Sequence, residues 1–251
     1  MKHNTRIKSF HDDESIKNAY LEKLNARYEA DRHLITRRKD WDRYTYITDD
    51  NSKLKYINPA LRYKIELGLP PWLKDLQSMI IYGLATEEGK ELPRNVIKNI
   101  HVGSDLILVR PRFIHWCIFD LEYGYYLHTD REGRKDLSEI NDLYKKIIAG
   151  KVDRKKWDSL NNRLCDKVER LIGKKGVTAR NLMQAFYIYQ TALGCPSRAS
   201  AWASIRYLHQ MTTPRHDIAC SAQAKKLLEL LNEATSKENF YQWDMLKDNY
   251  N

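Results

Sequence analysis

The chain has 251 residues, 42% hydrophobic and 30% charged, with a formal net charge of +10 at pH 7. That is enough apolar content for a substantial core, in one domain or two unequal ones. Ten glycines and seven prolines are too few for the regular turns of a sandwich or barrel, and no apolar run approaches the ~18 residues of a membrane span.

The charge is unevenly spread. Residues 1–68 hold 15 Lys/Arg against 11 Asp/Glu, residues 69–129 hold 6 against 7, and residues 130–251 hold 22 against 15. A near-neutral middle between basic flanks favours an acidic partner, nucleic acid being the commonest. The opening MKHNTRIKSFHDDES lacks the apolar core of a signal peptide, so a cytoplasmic setting with no membrane partner is expected.

Taken in chain order, the first helical pattern runs from Asp12 to about Lys39, with Ile16, Tyr20, Leu24 and Tyr28 on one face. Its basic end continues into the strongest surface signal of the chain. Arg32, Arg37, Arg38 and Lys39 are followed by Trp41, Arg43, Tyr44 and Tyr46, pairing cations for phosphates with rings on which unpaired bases stack. Around DDNS, the segments YTYI and LKYI have the turn chemistry of a small β-hairpin near 44–57.

Pro70 and Pro71 after Gly68 open a helix carrying Trp72, Leu73, Leu76, Met79 and Ile80, closed by Gly83. Glu87, Glu88 and Glu91 around Gly89 read as an exposed acidic loop, after which Pro93 opens a short helix with Val96, Ile97 and Ile100 inward. Gly103-Ser104-Asp105 breaks it and can cap the next segment; Leu106–Val109 fits helix or strand. Pro111 starts a helix in which Phe113, Ile114, Trp116, Cys117, Ile118 and Leu121 are nearly all apolar. A helix apolar all round is buried, which makes this one the expected centre of the core.

A polar loop, HTDREGRKD, precedes a helical remainder. One helix carries Leu137, Ile140, Leu143, Tyr144, Ile147 and Ile148 up to Gly150; Asp153 caps the next, with Trp157, Leu160, Leu164, Val168 and Leu171 up to Gly173. Thr178 caps a third with Leu182, Phe186, Tyr189 and Leu193, and further helices are expected from Pro196, from Thr213-Pro214 (Ile218, Leu227, Leu228, Leu230, Leu231) and from Ser236. Short links between helices imply antiparallel neighbours. The expectation is an all-α multi-helix bundle or short helical array: a basic arm over 1–68, a central apolar module over 69–129 and a C-terminal array over 130–251, with 69–251 forming one compact unit.

The segment LPPWLKDLQSMIIYGL, the link E-x-G-K-E-L-P, then V-G-S-D-L and an aromatic helix, with LYKKIIAGKVDRKKWDSL at 143–160, resembles a group of uncharacterised phage and prophage proteins. The resemblance covers roughly residues 69–160. In that group a long, usually alanine-rich helical region comes next; here the C-terminal part is poorer in alanine. The resemblance implies a phage-type setting and carries no functional residues with it.

No chemistry-bearing constellation stands out. Cys117, Cys165, Cys195 and Cys220 lie far apart without a C-x-x-C pair, so buried thiols are expected in place of zinc ligands. His115, Cys117 and Asp120 are close in sequence, but residues two apart on a helix point in different directions, and core packing is the better account. His101 with Asp105, and His209 with His216, lack the i,i+4 form of a hydrolytic metal site. GKKG at 173–176 lacks the phosphate-loop spacing, yet Lys174 and Lys175 precede a helix start that could face an anion. Lys145, Lys146, Lys151, Arg154, Lys155 and Lys156 form a second basic set around Gly150. The reading is a non-enzymatic binding protein, without cofactor or metal, presenting a basic surface to a protein or nucleic acid of host or phage. Nucleic-acid binding through 32–46 and a structural role in the virion are the alternatives.

Overall fold

The computed structural model describes residues 8–30, 58–81, 83, 84, 86–193 and 216–234. Among the described residues the protein is all-α, with nine α-helices, two short 3-10 turns and no strand. The hairpin expected near 44–57, Cys195, His209 and the helices expected from Pro196 and Ser236 lie outside the described residues. Two compact units are drawn from Met1–Val109 with Cys220–Glu238 and from Arg110–Ala219 with Asn239–Asn251.

In the first unit, α1 (Glu14–Ala30) starts where the Asp13 carboxylate accepts the amide and hydroxyl of Ser15. Its Tyr20 and Leu24 are buried as the four-residue spacing predicts. The helix packs on α4 (Thr86–Asn99), which packs on α3 (Pro71–Ile81), which packs on α2 (Pro59–Leu67). The apolar pattern alone does not assign α2, although Asn58-Pro59 is a helix-start dipeptide. It buries Tyr63 completely, and also Arg62, whose Nε and Nη2 both donate to Glu66 Oε1, at 3.0 and 2.8 Å.

Pro93 does not open α4 but sits inside it. The stretch expected as an acidic loop is helical because Gly89, Leu92, Val96 and Ile97 continue one buried face through the proline. That face outweighs the single ladder bond the ring removes. Glu91 pairs with Arg94, whose guanidinium lies 5.6 Å from the Tyr28 ring centre, while Glu88 accepts from Ser221 at 2.9 Å. Leu106–Leu108 is neither helix nor strand but a turn leading into the next helix, which starts at Val109, with Asp105 accepting the Ile107 amide at 2.9 Å. From α9 (His216–Glu233), Leu227, Leu230 and Leu231 add to the buried set, and His101 Nε2 lies 3.0 Å from the Asn232 carbonyl.

A chain segment before α1 completes this unit. Phe10, His11 and Asp12 all have left-handed backbone angles in the 3-10 turn Ser9–Asp12, a conformation costing about 1–2 kcal/mol per L-residue. Complete burial of Phe10 and the pairing of Ser9 with Ser104 and Gly103 (3.2 and 3.0 Å) offset that strain. Gly68 has φ +62°, and a Cβ there would stand 2.4 Å from the Lys8 carbonyl oxygen; only glycine lets the two backbones meet.

The second unit contains α5 (Val109–Phe119), whose first residue belongs to the other unit, a 3-10 turn (Tyr125–His128), α6 (Arg131–Ile148), α7 (Arg154–Leu171) and α8 (Ala179–Leu193). Here α8 packs on both α6 and α7. Buried Phe113, Ile114, Cys117 and Ile118 fit the expected core helix, but Leu121 is 92% exposed. The helix ends at Phe119 because Asp120 Oδ1 captures the amides of Glu122 and Tyr123, so Leu121 swings outward. Two thirds of the expected loop HTDREGRKD is already helix: Asp130 caps α6 by accepting the Gly133 amide at 2.7 Å.

Asp153 and Thr178 cap α7 and α8 as their sequences predict, accepting the amides of Lys156 and Asn181. The stripe of α7 is buried from Trp157 to Val168. That of α8 is rotated from expectation: Ala185, Tyr187, Ile188 and Ala192 are buried, whereas Phe186 is 38% exposed. Ala185 and Ala192 let α8 approach its neighbours beside buried Tyr187, while Phe186 and Tyr189 are left at the margins.

Candidate basic interface

Arg32, Arg37, Arg38, Lys39, Trp41, Arg43, Tyr44 and Tyr46 lie outside the described residues. Lys174 and Lys175 are exposed on the turn between α7 and α8, between Gly173 and Gly176. The start of α8 behind them is served by Thr178, so its first amides are not all open to an anion.

The Gly150 turn is more distinctive. Gly150, at φ +76°, reverses the chain between α6 and α7, which puts the last turn of one helix beside the first turn of the next. Lys145, Lys146, Lys151, Arg154, Lys155 and Lys156 therefore share one end of the unit. Lys145 reaches Asp142 at 4.0 Å, and Lys146 and Lys156 reach Asp153 at 3.8 and 3.9 Å. Such long, solvent-facing pairs are worth little and leave most of the field intact. Lys151, Arg154 and Lys155 are exposed and form no ion pair among the described residues. A shallow groove of about 490 Å³ is lined by the paired members of the set, Lys145, Lys146 and Lys156, with Glu139, Asp142 and Leu143. The structure does not bring this set together with Lys174 and Lys175. They stand beyond opposite ends of α7, whose 18 residues span about 27 Å.

Other cations of the unit are committed to packing. Asp136, almost wholly buried, accepts from Arg163 and from Lys167, both at 2.8 Å; Arg163 also pairs with Glu139 and Lys167 with Glu132. These bonds tie α6 to α7 in antiparallel register.

Residues near each other in sequence are parted in space. Cys117 is buried, Asp120 is spent on its turn, and His115 is partly buried, stacked on Phe119 at 6.0 Å. The expectation of buried thiols holds for Cys117 and Cys220 but fails for Cys165, which is partly exposed and 3.8 Å from Glu169. Among the described residues no group of three or more His, Cys, Asp or Glu could hold a metal ion, and no helix is long and apolar enough to cross a membrane. Arg131, Arg134 and Lys135 are absent from the sequence-based candidates because the polar run around them reads as a loop; the cap Asp130 was the available signal.

Burial first, and then the charge of Lys145, pushes the His115 imidazole below its ordinary value of 6.5. The unfolded chain therefore binds this proton more readily than the folded one, and stability is fully present above 6.5 and falls as pH drops through and below it. Thermal melts between pH 7.5 and about 5 should show that decline, and His115→Gln should flatten it.

Comparison with protein-family models, with curated proteins and with solved structures returned no match in any of the three.

Proposed function

We propose that the protein is a non-enzymatic, phage- or prophage-type helical binding protein that acts in the host cytoplasm by presenting a basic surface to a macromolecular polyanion, nucleic acid being the partner class. The Gly150 turn carries this reading: six cations on one end of the α6–α7 helical pair, three without a carboxylate partner among the described residues. Phosphate neutralisation needs that density of cations and no base-specific chemistry. The stretch 32–46, rich in Arg, Trp and Tyr, supports the same class of partner.

The test is fluorescence anisotropy of the full chain with labelled duplex DNA across a salt series. Binding should weaken steeply with salt. The combined change Lys151→Glu, Arg154→Glu and Lys155→Glu should weaken it further and reduce the slope of log K against log salt by about 0.9 for each phosphate no longer neutralised. Arg37→Glu with Arg38→Glu should act additively if both surfaces are used. Salt-independent or absent binding to DNA and RNA, with one defined protein captured from host lysate, would replace nucleic acid with a protein partner.

A further inference from the structure

We propose that the second unit also carries a site for single-stranded nucleic acid, where the 3-10 turn Tyr125–His128 meets α6. There, bases would stack on the aromatic ladder His115–Phe119–Tyr126 and phosphates would be held by Arg131, Arg134 and Lys135. The proposal rests on the nucleic-acid reading above and narrows it to unpaired strands.

Three aromatic groups follow one another at stacking distance. His115 and Phe119 are 6.0 Å apart with planes 29° from parallel, and Phe119 and Tyr126 are 4.8 Å apart with planes 31° from parallel. The Arg134 guanidinium continues the ladder, 5.7 Å from the centre of the Tyr126 ring. It is held in place by its own donors: Nε to the Thr129 carbonyl at 2.8 Å and Nη2 to that of Leu127 at 2.9 Å. A guanidinium fixed over a ring is a pre-organised platform for both a base face and a phosphate. His115, Phe119 and Tyr126 are each only partly buried and keep some surface open to solvent.

The charges around it differ from those elsewhere in the unit. Arg131, Arg134 and Lys135 are exposed and form no ion pair among the described residues, in contrast to Arg163 and Lys167. A groove of about 460 Å³ runs beside them, lined by Tyr126, Thr129, Asp130, Arg131, Arg134 and Lys135. Its one carboxylate, Asp130, is engaged by the Gly133 amide. Because Lys167 pairs with Glu132, α7 ends beside the start of α6, so Lys174 and Lys175 extend the positive surface at the same end.

Cations alone would suit any polyanion; the rings decide between them. A duplex keeps its base faces stacked on one another, and an acidic peptide has no flat faces to offer. Unpaired bases match both features, since every base has a face that stacks on an aromatic ring or guanidinium.

The full chain is titrated with a labelled oligothymidylate of about 12 nucleotides, within the span of one single-strand site, and with a hairpin duplex of equal charge. The single strand should bind more tightly. Tyr126→Leu should weaken it about tenfold and leave duplex binding unchanged. Arg131→Gln with Lys135→Gln, both on the surface, should lower the single-strand salt slope by about 1.4, and this pair decides the matter if Tyr126→Leu fails to fold. Duplex binding retained without a single-strand preference, or single-strand affinity unmoved by these variants, overturns the site and leaves the general reading standing. Failure of the full chain to bind any nucleic acid overturns both.

Discussion

Asp136→Ala should lower the unfolding free energy by about 3 kcal/mol, read by urea denaturation followed by circular dichroism. The carboxylate is 5% exposed and accepts from two cations on the neighbouring helix. Removing it strands charge at the α6–α7 seam, and breaking a buried pair from one side typically costs about 3–5 kcal/mol. The lower end applies because Arg163 is 46% exposed and keeps Glu139, so it can turn to water. Lys167 is only 22% exposed and loses its closest partner. Replacing all three residues with apolar ones of similar size (Asp136→Leu, Arg163→Met, Lys167→Met) should recover most of the loss, because no charge then remains unpaired. A pH signature accompanies this. Burial pulls the Lys167 amine down, but the hydrogen bond and charge of Asp136, with Glu132, outweigh it and leave the amine above its ordinary value of 10.5. The stabilisation is complete below 10.5 and is lost as pH rises through the elevated folded value. In Asp136→Ala the alkaline decline should be shallower.

Trp157→Ala should cost about 3–5 kcal/mol by the same measurement, the range for deleting a buried aromatic. Trp157 is 5% exposed and meets Tyr144 edge to face, with ring centres 5.3 Å apart and planes at 77°. A double-mutant cycle with Tyr144→Leu should return a coupling of about 0.5–1.5 kcal/mol. Trp157→Phe should be far milder: among the described residues the buried indole Nε1 has no hydrogen-bond partner, so losing it forfeits no bond there. Because Trp157 anchors the first turn of α7, the alanine variant should also loosen the Gly150 turn and weaken DNA binding. A variant that loses stability while keeping full binding would separate the basic turn from the core beneath it.

Some elements were legible because their causes are local. Asp153 and Thr178 announce helix starts by placing a side-chain acceptor over orphan amides, and both do so. The stripe from Trp157 to Val168 was readable because α7 buries a single face. Other elements depended on neighbours. Pro93 looked like a helix start, yet buried residues on both sides of it hold the helix through the ring. Leu121 looked like core until the Asp120 side chain turned the chain. The rotation of α8 could not be read from its own residues, since it packs on two helices and the face it buries depends on where both stand. The candidate site divides in the same way: the Gly150 cations are contiguous in sequence, whereas the ladder joins His115, Phe119, Tyr126 and Arg134 from two helices and a turn.

The amino-acid order alone determined that this chain is helical, where several helices begin and end, and that its formal net charge is +10. Each follows from hydrogen bonds, periodicity or charge acting within a few residues. Only the tertiary structure decided which cations are spent on Asp136 and which stay free, and which aromatic rings meet to form a ladder. Both depend on the meeting of residues far apart along the chain, and burial against a particular neighbour sets whether a charge or a ring is used inside the fold or left for a partner.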